Sequence, residues 1–183
     1  ILRPLPNIDI FVPGTSDEFK QLINDSWNNG RSKYFKLSKA EHNQQTRVSA
    51  YEAQILNQGN NQIALFVNGH LLDEVYKIEN HEQHTIVYCP TIEPLSTLAK
   101  NKIANILKNN KASIVVEENS SSGAFADKIF DVGSKANVTT LIKKVGIPRK
   151  FCTNYGTAQQ HREEIGLTCE NIETTINEAL QHV

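Results

Sequence analysis

The sequence predicts an α/β protein: an open, mainly parallel sheet with helices on both faces, preceded by a small β-α-β unit. Apolar runs of strand length alternate with stretches whose apolar residues recur at helical spacing, the pattern of layered α/β folds. Several runs, such as Ile63 to Val67, are apolar without interruption, as strands covered on both faces are. Turn-forming residues (Pro13-Gly14, Asn28-Asn29-Gly30, Asn68-Gly69) punctuate the alternation.

Ile8 to Val12 is the first predicted strand. After Pro13-Gly14, the run Thr15-Ser16-Asp17-Glu18 places a hydroxyl at a helix cap and a carboxylate three residues on, a capping box. Phe19, Leu22, Ile23 and Trp27 then form one apolar helix face, Asn28-Asn29-Gly30 supplies a left-handed exit, and Tyr34 to Leu37 resumes extended structure. Strand, helix and strand make a parallel unit with a right-handed crossover. Some forty residues of this kind are too few for a domain and read as the last unit of a larger sheet. Ser38 to Thr46 is polar, as an exposed connection is, which predicts residues 1–40 as one unit, 41–47 as a linker and 48–183 as a second domain.

In the second domain, Val48 to Asn57 reads as a strand, followed by the strand Ile63 to Val67 and a helix carrying Leu71, Leu72, Val75 and Tyr76. Thr85 to Cys89 is the next strand. Pro90 and Pro94 frame a turn before a long helix through Leu95, Ala99, Ile103, Ile106 and Leu107. The strand Ser113 to Val116, the loop Glu117 to Gly123, the helix Ala124 to Val132 and the strand Val138 to Val145 follow. Helices at Thr157 to Ile165 and through Ile172, Ile176, Ala179 and Leu180 end the chain.

The balance of 19 Lys and Arg against 20 Asp and Glu leaves no excess basic charge to release counterions, so nucleic-acid binding is not expected. No apolar run approaches the ~20 residues that span a bilayer, and no leader-like segment opens the sequence, so the expected location is cytoplasmic, away from membranes. Cys89, Cys152 and Cys169 describe neither a disulfide framework nor a zinc knuckle. The chain begins at Ile1 and contains no methionine, and it reads as a fragment.

The loop Glu117-Glu118-Asn119-Ser120-Ser121-Ser122-Gly123 follows a strand and precedes a helix, where open α/β sheets place ligands. Its serines and the helix N–H groups could hold a phosphate, but two adjacent carboxylates oppose an anion and favour a structural or interface loop. His81 and His84 have metal-ligand spacing without a third ligand and read as an exposed turn. His42, His70, His161 and His182 are scattered, and no P-loop, GxGxxG or GxSxG motif occurs.

Several segments, in order along nearly the whole chain, resemble the transketolase superfamily. Ile1-Leu2-Arg3-Pro4-Leu5-Pro6-Asn7 with Val12-Pro13-Gly14 resembles the "LR-x-x-P-N … x-P-x-D" passage late in the pyrimidine-binding domain of transketolases and deoxyxylulose phosphate synthases, and Leu37-Ser38-Lys39 resembles the "L-S-R" that ends it. Thr91-Ile92-Glu93-Pro94-Leu95 is similar to "T-x-K-P-L-D", and Val115-Val116-Glu117-Glu118-Asn119-Ser120 with Gly123 to "V-V-E-E-H-S-x-x-G-G". Gly146-Ile147-Pro148-Arg149-Lys150-Phe151, Tyr155-Gly156-Thr157 and Glu164-Ile165-Gly166-Leu167-Thr168 resemble "G-x-P-D-x-F … x-G-(S/T) … x-G-L-(T/D)". Departures are Lys39 for arginine, Asn119 for histidine and Ala124 for the second glycine.

The resemblance implies the end of a pyrimidine-binding domain followed by a transketolase C-terminal domain that serves subunit association. The function it implies is a share in a thiamine-diphosphate-dependent transferase of two-carbon ketol units between sugar phosphates. A deoxyxylulose phosphate synthase fragment, a 2-oxo acid dehydrogenase beta-subunit fragment and a noncatalytic association module are the alternatives. Thiamine diphosphate and Mg2+ are expected in the complete enzyme and not on this chain alone, from which no activity is expected. A homodimer or an upstream transketolase subunit is the expected partner. No catalytic, cofactor or metal residue is expected here. Lys39, matching a phosphate-binding arginine, is the one candidate for binding substrate phosphate, as a point charge without the bidentate fork.

Overall fold

The computed structural model describes residues 2–60, 62–120, 122–151 and 153–182. Ile1, Ser121 and Cys152, each noted above, lie outside the described residues. A three-stranded sheet, in the order β2-β1-β6, contains β1 (Ile8–Phe11), β2 (Ser32–Phe35) and β6 (Thr91–Glu93). A five-stranded sheet in the order β3-β5-β4-β7-β8 contains β3 (Gln54–Asn57), β4 (Ile63–Val67), β5 (Thr85–Tyr88), β7 (Ala112–Ser120) and β8 (Leu141–Ile147). All pairs of the larger sheet are parallel except β3 with β5.

The apolar run of β4 shows why this sheet is covered twice. Side chains alternate across a strand. Ala64 and Phe66 join a core with Ala99, Ile103 and Leu107 of α3 (Thr97–Asn109) and Ile129 of α4 (Phe125–Lys135). Ile63, Leu65 and Val67 join a second core with Leu72 and Val75 of α2 (Leu72–Tyr76) and Ile172 and Ile176 of α6 (Cys169–Leu180). Between β8 and α6, Thr157 and Gln160 cap α5 (Ala158–Ile165) reciprocally, and Gly166 ends it in the left-handed conformation at φ 76°. Phe66 is fully buried, so Phe66→Ala is expected to cost about 3–5 kcal/mol of unfolding free energy in denaturant titration.

The β-α-β opening forms as expected, with β1 and β2 parallel from Ile8↔Ser32 to Phe11↔Phe35 and α1 (Ser16–Ser26) between them. It does not stand apart. β6, in the stretch expected to be a turn framed by Pro90 and Pro94, pairs antiparallel with β1, and Ile10 and Val12 share the core of Phe66 and Ile103.

Other boundaries differ for local reasons. Trp27 is not on the buried face of α1: it is the C-cap residue and 69% exposed, while Ser26 takes the inward position and donates its hydroxyl to Leu22 O at 2.6 Å. The strand expected at Val48 to Asn57 shrinks to β3, because Ala50 and Ala53 bury in irregular backbone. β8 begins three residues later than expected because Val138 N donates to Gly133 O, closing α4 after Asn137 has turned to φ 54°. Tyr34 lies within β2, whereas Leu37 lies past it and is exposed.

Candidate functional site

From β4 the chain moves to β5 on one side and then, through β6 and α3, to β7 on the other. The carboxyl ends of β4 and β7 therefore flank a topological switch point, where open sheets place ligands. The carboxyl ends of β1 and β2 meet the same seam. Val12 N donates to Pro90 O at 2.7 Å, and Lys36 Nζ donates to the Glu118 carbonyl.

One end of the seam is built around Glu18. The sequence marks it as the capping carboxylate of α1, and Thr15 does cap the helix, accepting from Glu18 N at 3.2 Å. The carboxylate itself turns inward and accepts from Gly14 N (2.7 Å), Tyr88 Oη (2.7 Å), Thr46 Oγ1 and the His42 ring (Nε2, 3.0 Å). The His42 ring stands edge-on to Tyr88, with centroids 5.6 Å apart. Burial pushes Glu18 upward, but the hydrogen bonds from His42, Thr46, Gly14 and Tyr88 outweigh it and hold the carboxyl below its ordinary value. Burial and the neighbouring Glu18 charge push Tyr88 well above the usual phenol range. Glu18, His42 and Tyr88 are all buried, so this group is a clamp between α1, the connecting segment and β5, closed to substrate.

The connection at 41–47 is thus not simply exposed. His42 is buried, and Asp73 accepts from Asn43 N (3.0 Å), Asn43 Nδ2 (2.8 Å) and Gln44 Nε2 (3.0 Å). Its polar residues have buried or fixed partners far along the chain, which composition alone does not reveal.

At the other end of the seam, Glu117 lies within β7, which runs on to Ser120 where a loop from Glu117 is expected, and it settles the question posed by that segment. Its buried carboxylate accepts from Phe125 N and Ala126 N, both at 2.9 Å, and fills the N-terminus of α4 from within. Burial raises its pKa despite these bonds. At α1, Glu41 likewise accepts from Ser16 N at 2.8 Å. Both helix starts along the seam carry the chain's own carboxylates, so these residues do not fit a diphosphate. Nor, among the described residues, do three or more His, Cys, Asp or Glu side chains gather to hold a metal ion.

Glu118 lies between Lys36 Nζ and His70 Nε2, each 3.6 Å from one carboxylate oxygen. Burial lowers the pKa of Lys36, opposed by Glu118, and lowers that of His70 in the same way. Lys39, in the segment that leaves β2, is exposed and makes no hydrogen bond or ion pair with the described residues. Beside its loop, Pro13, Thr15, Phe19, Ser38 and Glu41 line a hollow of about 130 Å3. His81 opens a short 3-10 turn and His84 follows it into β5, the turn expected of that segment. Cys89 is buried, its thiol pushed up to about 12 by burial. Sequence reasoning missed the roles of Glu18, His42 and Tyr88; it read Asn68 only as part of a turn and His70 as one of several scattered histidines. The switch-point position of Asn68-Gly69-His70 after an apolar strand was the available signal.

The fold and the sequence motifs are similar to those of the carboxyl-terminal part of transketolase-like proteins. No family model matches the chain. A split-gene transketolase, described as an inactive beta4 tetramer, superposes with a TM-score of 0.86 over 98% of this chain and 60% of its own, at 17% sequence identity. An apulose-4-phosphate transketolase subunit of Actinobacillus succinogenes is 26% identical over 181 residues, 94% of this chain and 57% of that protein. The 1-deoxy-D-xylulose-5-phosphate synthase of Psychromonas ingrahamii is 22% identical over 192 residues, 100% of this chain and 29% of that protein. The chain thus spans less than two thirds of each of these proteins. Among the described residues, no helix is long and apolar enough to cross a membrane.

Proposed function

We propose that this chain is the carboxyl-terminal part of a thiamine-diphosphate-dependent transferase that moves two-carbon ketol units between sugar phosphates, and that its own task is subunit association. The observation that carries this reading is the superposition of nearly the whole chain on a split-gene transketolase described as a beta4 assembly. In this reading residues 1–40 end a pyrimidine-binding domain, 41–47 connect, and 48–183 form the C-terminal domain. Thiamine diphosphate, which supplies the carbanion chemistry when bound, and Mg2+ belong to the part of the enzyme outside this chain. The docking surface for that part is the outer edge of β2, which no described strand pairs, with Tyr34 (42% exposed) within the strand and Leu37 (58% exposed) just past it. Co-expression with an upstream transketolase portion is expected to give a stable complex with ketol-transfer activity. Free monomers at high concentration in sedimentation, with no complex and no activity, overturn the proposal.

Within the complete enzyme, Lys39 holds the substrate phosphate. An exposed, unpartnered cation after a strand of a parallel unit supports this role, as does its match to the family's arginine. Lys39→Ala is expected to raise KM for phosphorylated substrates about 10-fold or more, the size of a lost charge-assisted contact. Turnover of an unphosphorylated ketol donor should stay nearly unchanged, and Lys39→Arg should be tolerated. Equal effects on both substrate types would make Lys39 structural. A second reading, favoured by the alignment over the full chain, is a deoxyxylulose phosphate synthase fragment. Formation of deoxyxylulose 5-phosphate by the reconstituted enzyme, in place of ketol transfer between sugar phosphates, would select it.

A further inference from the structure

At the switch point, the first and second parts of the chain flank a small crevice whose walls include Val12, Lys36, Asn68, Gly69, His70 and Glu118. Its walls are unusual in one respect. Asn68 is 1% exposed, yet among the described residues neither its Nδ2 nor its Oδ1 has a partner, and the buried Nε2 of His70 has none within hydrogen-bond distance. Leaving such atoms dry costs about 1–3 kcal/mol each, so native proteins almost always satisfy them. At 3.6 Å from the Glu118 carboxylate, His70 Nε2 is too far for a direct hydrogen bond.

We propose that this crevice is a binding site for one ordered water molecule, held jointly by Asn68, His70 Nε2 and Glu118 and joining the carboxyl ends of β4 and β7. The size fits. The enclosed space is about 10 Å3, room for one such molecule. The charge fits as well. The Lys36 ammonium, 3.6 Å from the same carboxylate, already supplies the countercharge, so a cation gains no net attraction, and the Glu118 charge repels an anion. A neutral molecule that both donates and accepts is what Asn68 and His70 require. Gly69, with φ 63°, brings the backbone close to Val12 and narrows the crevice to this size; a Cβ there would lie 3.1 Å from Val12 Cγ1.

The test is a crystal structure of the full chain that resolves ordered water, from crystals soaked in rubidium chloride. One peak within about 2.7–3.2 Å of Asn68, His70 Nε2 and the Glu118 carboxylate, without anomalous signal, is the expected result. An anomalous peak would make the site a cation site and overturn the proposal. So would side chains that satisfy one another directly with no peak between them. In solution, water-17O relaxation dispersion should count one fewer long-lived water in Asn68→Leu than in the unchanged chain. An equal count in a folded Asn68→Leu protein would also overturn it.

Discussion

Glu18→Ala is expected to lower the unfolding free energy by about 3–5 kcal/mol, the cost of removing one partner from a buried, charged hydrogen-bond group. The substitution leaves the ring nitrogen of His42 and the hydroxyl of Tyr88 without their acceptor in a site that excludes water, and it releases Gly14 N. Denaturant titration of the variant measures the loss, and a change below about 1 kcal/mol would show that the clamp contributes little. Acid should act on the same group. Because the folded-state carboxyl is held below its ordinary value of 4.5, its stabilisation is complete above that value and is lost as pH falls through the depressed folded value. Glu18→Gln should therefore flatten the acid limb of the stability profile. Glu117 works in the opposite sense: its raised pKa adds a destabilising contribution as pH climbs from the unfolded value through the folded one.

Gly59→Ala should be nearly as damaging, at about 3 kcal/mol or more. A Cβ on Gly59 would overlap the carbonyl of Gln83 and the carbonyl carbon of His84, which are backbone atoms with no rotamer to change. The same backbone is tied to the loop, since Asn60 N donates to Gln83 O at 2.9 Å and Gly59 N to Thr85 Oγ1 at 3.2 Å. Relief requires the β3–β5 pairing to open. Gly133→Ala is the matched comparison: its Cβ meets the mobile end of Leu107 at 3.0 Å, and alanine gains helix propensity within α4. Equal losses for the two variants, measured by thermal and denaturant unfolding, would exclude backbone overlap as the cause.

These two sites also mark where sequence patterning stops being informative. β4, β5, β7 and the long helices were legible because a buried strand or an amphipathic helix writes its periodicity into its own residues. β6 was not, because three residues between prolines carry no period and form a strand only through the edge that β1 offers. The candidate site divides the same way. Lys39 and the pair Glu117-Glu118 at the end of β7 stand in recognisable motifs, whereas Glu18 reads locally as a cap. Its partner Tyr88 lies 70 residues away, and His42 sits in a stretch whose polarity predicts solvent. Partner choice across such distances is set by packing and leaves no local trace.

The pairing of β1 with β6 also governs assembly during synthesis. Ile10 is made early, but its neighbour Glu93 emerges only after β3, β4 and β5, so the small sheet closes late and pays the loop-closure entropy of everything between. Cutting the chain anywhere in the connecting segment parts β1 from β6. Each piece is then left with an open sheet edge, and neither inherits the intact seam.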